Sequence, residues 1–307
     1  MALQKRTFFI VIFALAVMGL GLVSCDNDRN LVPAFIVITK EDITIHPSLT
    51  LGKGSTAHDI SDVWIKVNGK HLGCWELPAR IPVLEEGSCT IVVSAGIVLN
   101  GMKSSRSAYS FFKSFETTVN LELRTETRLY PEFAYAENVT FPFIENFEEP
   151  GTQLTADSSS QAEINKIDDP NLIYRNLHDP SDINTYSGFV ELKDTADYFD
   201  LRSGKLALIK DGTHRTFFEF NYKTESWIGI ELIAISSSGI EKHYPLVEIN
   251  PSAGQWKKMY VDLSQVVGQN YAAESFKLQI TGIREGSNKA VKFYFDNLRI
   301  LQQPSYY

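Results

Sequence analysis

Val63-Trp64-Ile65-Lys66-Val67-Asn68-Gly69-Lys70-His71-Leu72-Gly73-Cys74-Trp75-Glu76-Leu77 is the stretch that sets the class of this fold. Residues 63–67 alternate in the period of two that sends successive side chains to opposite faces of a strand. Asn68-Gly69 follows, and both residue types accept the positive φ that a two-residue hairpin turn demands. Residues 71–77 then read as the returning strand, so the segment is a β-hairpin.

Working outward, residues 32–39, 90–93 and 115–123 and the segment around Leu129 also read as strands. Pro78, Pro82, Gly87, Gly96 and Asn100-Gly101 punctuate them. Strands at roughly ten-residue spacing with turn residues between them predict a β-sandwich. Residues 33–130 are expected to form one of immunoglobulin-like size, with a boundary near Tyr130-Pro131. Beyond it, a polar stretch at 149–161 follows a first strand. Strands are then expected at 162–167, 187–192, 205–209, 216–222, 227–235, 243–249, 257–263, 276–281 and 291–301, with one short helical candidate at 264–267. The predicted fold class is all-β: an immunoglobulin-like β-sandwich followed by a second β domain over 138–303.

Three segments of that second domain carry a resemblance. Gln255-Trp256-Lys257-Lys258-Met259-Tyr260-Val261-Asp262-Leu263-Ser264 has a Trp opening a strand that ends in Asp-Leu-Ser. Val291-Lys292-Phe293-Tyr294-Phe295-Asp296-Asn297-Leu298-Arg299-Ile300 has an aromatic-Asp-Asn-aliphatic pattern. Phe143-Ile144-Glu145-Asn146-Phe147-Glu148 precedes both. In this order they resemble the penultimate, closing and opening strands of galactose-binding-like jelly rolls, the fold of many carbohydrate-binding modules. The resemblance covers the C-terminal half only. It implies a jelly roll, a glycan as ligand, and a structural calcium between first and last strands, for which the matching positions are Glu148 and Asp296. Fold alone does not fix function.

The N-terminus reads as an export signal. Lys5 and Arg6 precede an uncharged apolar run at 8–23, and Leu22-Val23-Ser24-Cys25 closes it. A basic start, an apolar middle and small residues at the cut site make a secretory signal. The run falls short of the ~18–20 apolar residues of a membrane span, and polar Asp26-Asn27-Asp28 follows at once. The closing tetrapeptide resembles a bacterial lipobox. That implies residues 1–24 are removed, Cys25 carries palmitate-type acyl chains, and 25–32 form a tether. With the two β domains, the arrangement resembles envelope lipoproteins of Bacteroidota. The expected location is the bacterial cell envelope, lipid-anchored and at the outer membrane. Export also permits disulfides, and Cys74 and Cys89 lie on segments read as neighbouring strands, so they are expected to pair.

The net charge of −8 comes with no Lys/Arg-rich stripe interleaved with aromatics, so nucleic acid is not an expected partner. The catalytic signatures of a nucleophile elbow, a His-Glu-x-x-His zinc helix or a phosphate loop are missing. Gly52-Lys53-Gly54-Ser55 lacks the leading glycine of the last. The six His residues are scattered, none at ligand spacing. Among the carboxylates, Glu145, Glu148 and Glu149 cluster, but no facing pair of the glycosidase kind is singled out, and strand-edge carboxylates are expected to be solvated. An enzyme is therefore not expected. A glycan would stack on aromatic platforms, and Tyr174, Tyr186, Tyr198, Phe199, Trp227 and Tyr244 are the candidates. Tyr186 and Tyr198 are favoured for their places near loops. Two roles remain: glycan binding by the second domain, or a structural accessory role on another envelope protein. An exposed row of aromatics on that domain's sheet would favour the first. A broad apolar patch on the first domain would favour the second.

Overall fold

A computed structural model describes residues 32–46, 55–285 and 289–304. Cys25, the signal segment and most of the tether lie outside the described residues. The chain is almost entirely β. In chain order the strands are β1 (Ala34–Ile38), β2 (Thr44–Ile45), β3 (Asp62–Val67), β4 (Lys70–Glu76), β5 (Ala79–Val83), β6 (Gly87–Val98), β7 (Arg106–Ala108), β8 (Phe112–Lys113), β9 (Phe115–Leu121), β10 (Glu126–Arg128) and β11 (Glu132–Tyr135) in the first half. The second half contains β12 (Thr140–Glu145), β13 (Leu154–Ala156), β14 (Asn165–Ile167), β15 (Ser187–Leu192), β16 (Tyr198–Ser203), β17 (His214–Thr224), β18 (Ile228–Ile235), β19 (Glu241–Ile249), β20 (Lys257–Asp262), helix α1 (Ser264–Gln269), β21 (Ser275–Ile283) and β22 (Val291–Pro304).

The hairpin forms as its sequence dictates. β3 pairs antiparallel with β4, and Asn68 and Gly69 turn the chain at φ of 49° and 79°. Among the described residues the strand pairings stay within each half: β1–β11 pair among themselves, as do β12–β22. The changeover falls between Tyr135 and Thr140, beyond the expected end of the first unit at 130 and beside the expected start of the second at 138. The reason is β11, whose Phe133 and Tyr135 are buried in the first core while its backbone pairs with β2 and β8.

The expected disulfide is absent: Cys74 and Cys89 are both free. β3 lies between their strands, in the order β4-β3-β6. Two inter-strand spacings amount to ~10 Å, beyond the usual Cα separation of about 4.4–6.8 Å for a bridge. Cys74 stands opposite Trp64, itself opposite Ser94, whereas Cys89 lies further down β6 and points into the core. The segments are close in sequence but not neighbours in the sheet.

In the second half the chain passes back and forth between two facing sheets, β14-β15-β22-β17-β20 and β13-β16-β21-β18-β19. Their inner faces make one core from Phe218, Phe220, Phe293, Phe295 and Ile300 on one side and Phe199, Leu201, Ile230, Leu232, Leu278 and Ile280 on the other. This is a jelly-roll sandwich. Strand β16 was not among the expected strands. The strand expected at 205–209 is reduced to a single bridge, Leu206 with Phe276.

The first half covers the outer face of the β14–β20 sheet. Phe217, Tyr260 and Leu301 point outward from that sheet and join the first core, alongside Tyr109, Phe111, Phe133 and Tyr135. Among these rings, Phe111 and Phe217 meet edge to face at 5.2 Å and Tyr109 and Tyr260 at 5.4 Å. A charged group sits within this apolar seam. Glu219 accepts hydrogen bonds from Arg299 Nε (2.8 Å) and the Tyr109 hydroxyl (2.9 Å), and lies 3.1 Å from Lys258 Nζ. Burial pushes the Glu219 carboxyl up, but the Arg299 and Lys258 charges outweigh it and hold it below its ordinary range. Lys258 is pushed down by burial, opposed by Glu219, to about 8.

Candidate functional site

With one outer face of the sandwich covered, the outer face of the β13–β19 sheet is the open one. Alternation fixes which side chains stand on it. Phe199 and Leu201 of β16, Leu278 and Ile280 of β21, and Ile228 and Ile230 of β18 point into the core. Their neighbours Tyr198, Asp200 and Arg202, Gln279, Thr281 and Ile283, and Gly229 and Glu231 therefore point out. The register then sets them in rows across the strands.

The first row is an apolar shelf. Tyr198 is opposite Ile283, and Ile283 N–H donates to the Trp227 carbonyl at 3.4 Å, extending the β18–β21 register by one residue. Trp227 is 37% exposed and Ile283 38%. The second row is Asp200, Thr281 and Gly229, and the third Arg202, Gln279 and Glu231. Gly229 leaves a gap in its row. A Cβ there would come within 2.8 Å of Thr281 Oγ1, so the glycine keeps the floor low beside the shelf.

The polar rows are wired together. Arg202 reaches Asp157 at 2.9 Å, Asp200 at 2.8 Å and Glu241 at 3.4 Å. Gln279 Nε2 donates to Asp200 Oδ2 at 2.8 Å, and Lys277 meets Glu241 at 2.7 Å. His243 Nδ1 lies 3.3 Å from Glu231 and 3.1 Å from Gln279 Oε1. The Lys277 hydrogen bond holds the Glu241 carboxyl below its usual range. Asp200 and Gln279 are nearly sealed, which fixes their orientation as a polar floor under the exposed shelf.

Of the aromatic residues read from the sequence, Tyr198 and Trp227 come together here. Phe199 and Tyr174 are buried. Tyr244 turns toward the core side of β19, its hydroxyl donating to Asn270 at 2.6 Å. Tyr186 lies by the loops, its backbone N–H held by Glu148 at 3.0 Å and its ring 4.4 Å from Lys166 Nζ. Neither Tyr186 nor Tyr244 joins the shelf. Asp200, Arg202, Gln279, Thr281 and Ile283 were missed. Their signal was the alternation Tyr198-Phe199-Asp200-Leu201-Arg202, present but short.

A second concavity, a cleft of about 560 Å³, opens where the loops after β12 and β14 meet and includes Glu145, Glu148, Gln153, Asp182, Asn184 and Asn297. Glu145 and Glu148 are structural fasteners, not the solvated groups expected, whereas Glu149 is exposed as expected. Glu145 is buried and accepts the N–H groups of Phe147 (2.7 Å) and Gln153 (2.5 Å). Glu148 accepts those of Thr185 (2.8 Å) and Tyr186 (3.0 Å). Asp296 is fully buried, accepting Asn297 N–H at 2.7 Å and the Ser187 hydroxyl at 2.5 Å. Burial pushes the Asp296 carboxyl well above its ordinary range, and the Glu148 charge adds to the push. Calcium takes six to eight oxygens. Glu148 and Asp296 supply two carboxyl groups already engaged by protein donors. Among the described residues no three acidic, His or Cys side chains gather as a metal group. The pair as arranged does not fit the calcium expected of it.

No family profile and no curated protein matches the chain. Solved structures do resemble it. The enzymatically active domain of the bacteriophage CBA120 tailspike protein 4 is 8% identical over 53% of this chain and 19% of that one, at a TM-score of 0.35. A Clostridium thermocellum endo-1,4-beta-D-xylanase carrying a family 22 carbohydrate-binding module is 14% identical over 54% and 29%, at 0.39. The family 22 xylan-binding domain of a Paenibacillus barcinonensis xylanase is 12% identical over 56% and 99%, at 0.38. The chain thus spans about a fifth of the tailspike domain and under a third of the clostridial protein. At these scores the likeness carries no argument about ligand or activity.

Proposed function

We propose that this is a non-catalytic glycan-binding protein of the bacterial envelope, tethered to a membrane through acylated Cys25. The ligand lies on the open face of the second sandwich. The observation that supports this reading is the shelf of Tyr198, Ile283 and Trp227 set beside two rows of oriented polar groups. Sugar C–H faces stack on aromatic and apolar side chains, while hydroxyls donate hydrogen bonds to fixed carboxylates and accept them from amides. The face offers both, side by side, on rigid strands. The tether rests on the lipobox-like tetrapeptide ending at Cys25; two or more acyl chains hold a protein stably at a membrane.

The test is calorimetric titration of the purified chain with a glycan panel, followed by Tyr198→Ala and Trp227→Ala. Each substitution should weaken binding by at least about tenfold, the loss of roughly 1.4 kcal/mol, with the melting temperature little changed. Equal affinity in both variants would remove the face from the reading. Cys25→Ala should release the protein from the membrane fraction, and unchanged sedimentation with membranes would remove the tether.

A second reading, an accessory protein on another envelope protein, draws on one observation. Leu177 and Ile183, 86% and 79% exposed, flank a cleft of about 400 Å³ in the loop between β14 and β15. Leu177→Ser with Ile183→Ser would abolish co-purification of a specific envelope protein if that reading holds.

A further inference from the structure

We infer that the ligand of the open face is an uncharged, extended polysaccharide segment lying across the strands. This rests on the reading of that face as a glycan-binding surface. Two independent features carry it: the charge balance of the face and the direction of its shelf.

The fixed cations of the face are already committed. Arg202 is engaged by Asp157, Asp200 and Glu241, and Lys277 by Glu241. His243 faces Glu231 and Gln279. At the shelf's edge Arg284 is held by Asp197 at 2.6 Å and by the Asp194 carbonyl at 2.5 Å. Glu248, opposite Gly229, adds another exposed carboxylate. Carboxylates therefore outnumber the cations they face, and every guanidinium within reach of the shelf already has an acidic partner. A uronate or sulfate would have to break such a pair and enter a field of its own sign. Neutral hydroxyls meet no such barrier, and ionised carboxylates are strong acceptors for them.

The shelf gives the direction. Tyr198, Ile283 and Trp227 occupy consecutive strands, so the row runs perpendicular to the strand axes. It spans two inter-strand spacings, ~10 Å, about the length of a disaccharide. The Asp200–Thr281–Gly229 row runs parallel to it at lower height, because Gly229 has no side chain. A linear chain can rest its rings on the shelf and drop hydroxyls toward Thr281 and the exposed Glu248 of that row. A single sugar can use only part of the row.

The experiment titrates the purified full chain at low and moderate salt with soluble β-glucan and glucomannan as neutral probes, and polygalacturonate and alginate as acidic ones. A ladder of neutral oligosaccharides from one to six units follows. The inference expects neutral polymers to bind with little salt dependence and acidic polymers not to bind. It also expects affinity to rise at least about tenfold from mono- to trisaccharide and then level. Binding of acidic polymers in place of neutral ones, lost in Tyr198→Ala, would overturn this inference and leave the glycan-binding face standing. Equal affinity for monosaccharide and trisaccharide would overturn the extended-ligand part. No binding by either class would overturn the glycan-binding reading itself.

Discussion

The carboxylate of Glu219 and the guanidinium of Arg299 meet at 2.8 Å between the two halves of the chain, both nearly sealed from water. This pair, with Lys258 and Tyr109, sits where the first half seals one outer face of the second sandwich. The Tyr109 hydroxyl and the Ser55 carbonyl, both of the first half, bond to this pair and tie the first half to the covered face. Glu219→Gln removes the charge and leaves two buried cations without a counter-charge. Breaking a buried pair in this way costs ~3–5 kcal/mol. The variant should lose that much in urea unfolding, and a loss below about 1 kcal/mol would show that the cations reorganise freely.

His58 gives the fold an acid sensitivity. Its ring stacks on His178 at 4.7 Å, bringing the first half against the loop before β15. Burial, then the nearby His178 and Lys258 charges, lowers its pKa from 6.5 to about 3. As pH falls through 6.5 the unfolded chain takes a proton on this ring and the folded chain does not. Stability is therefore full above about 6.5 and declines toward 3. By linkage, the loss from this group at pH 5 is about 2 kcal/mol. His58→Asn should flatten that part of the stability–pH curve, and an unchanged slope between pH 6.5 and 5 would overturn the assignment.

The all-β class was legible because period-two alternation and Asn68-Gly69 are local signals. The jelly roll was legible because its opening and closing strands keep an ordered pattern. The open face was only half legible. Tyr198 and Trp227 could be named as aromatics. Their union, however, depends on a register between strands far apart in the chain, and β16 is a short strand following a polar turn. The interface was not legible at all. Glu219 and Lys258 look like solvent-facing charges on alternating strands until the first half is seen lying over them. Cys74 and Cys89 failed for the same kind of reason, since nearness in sequence does not say which strand lies between.

Both thiols should titrate in the denatured protein without reductant. Cys74 is half-buried on the outside of its sheet, whereas Cys89 packs in the first core. Cys74→Ser should leave stability within about 0.5 kcal/mol, as for an ordinary surface change. Cys89→Ser puts a hydroxyl into an apolar site and should cost ~1–3 kcal/mol. Identical mobility of oxidised and reduced samples would support the free pair. A reduction-dependent shift within one chain would restore the bridge.

Asp296 tests whether the loop cleft relies on a cation. Its carboxyl is fully buried and its pKa is raised well above 3.8, chiefly by that burial. The unfolded chain sheds this proton above about pH 4 while the folded chain keeps it, so folding loses stability as pH rises from there toward the raised value. Asp296→Asn keeps an oxygen for the Asn297 N–H and places an amide beside the Ser187 hydroxyl, without the cost of a buried charge. The variant should match or exceed the parent's melting temperature at pH 7.5, and the difference should shrink toward pH 4. A chelator should leave both unchanged, because the oxygens of Glu148 and Asp296 already accept protein donors. If instead the variant melts several degrees lower and EDTA lowers the parent to match it, Asp296 is a cation ligand. Its proton would then belong only to the metal-free protein.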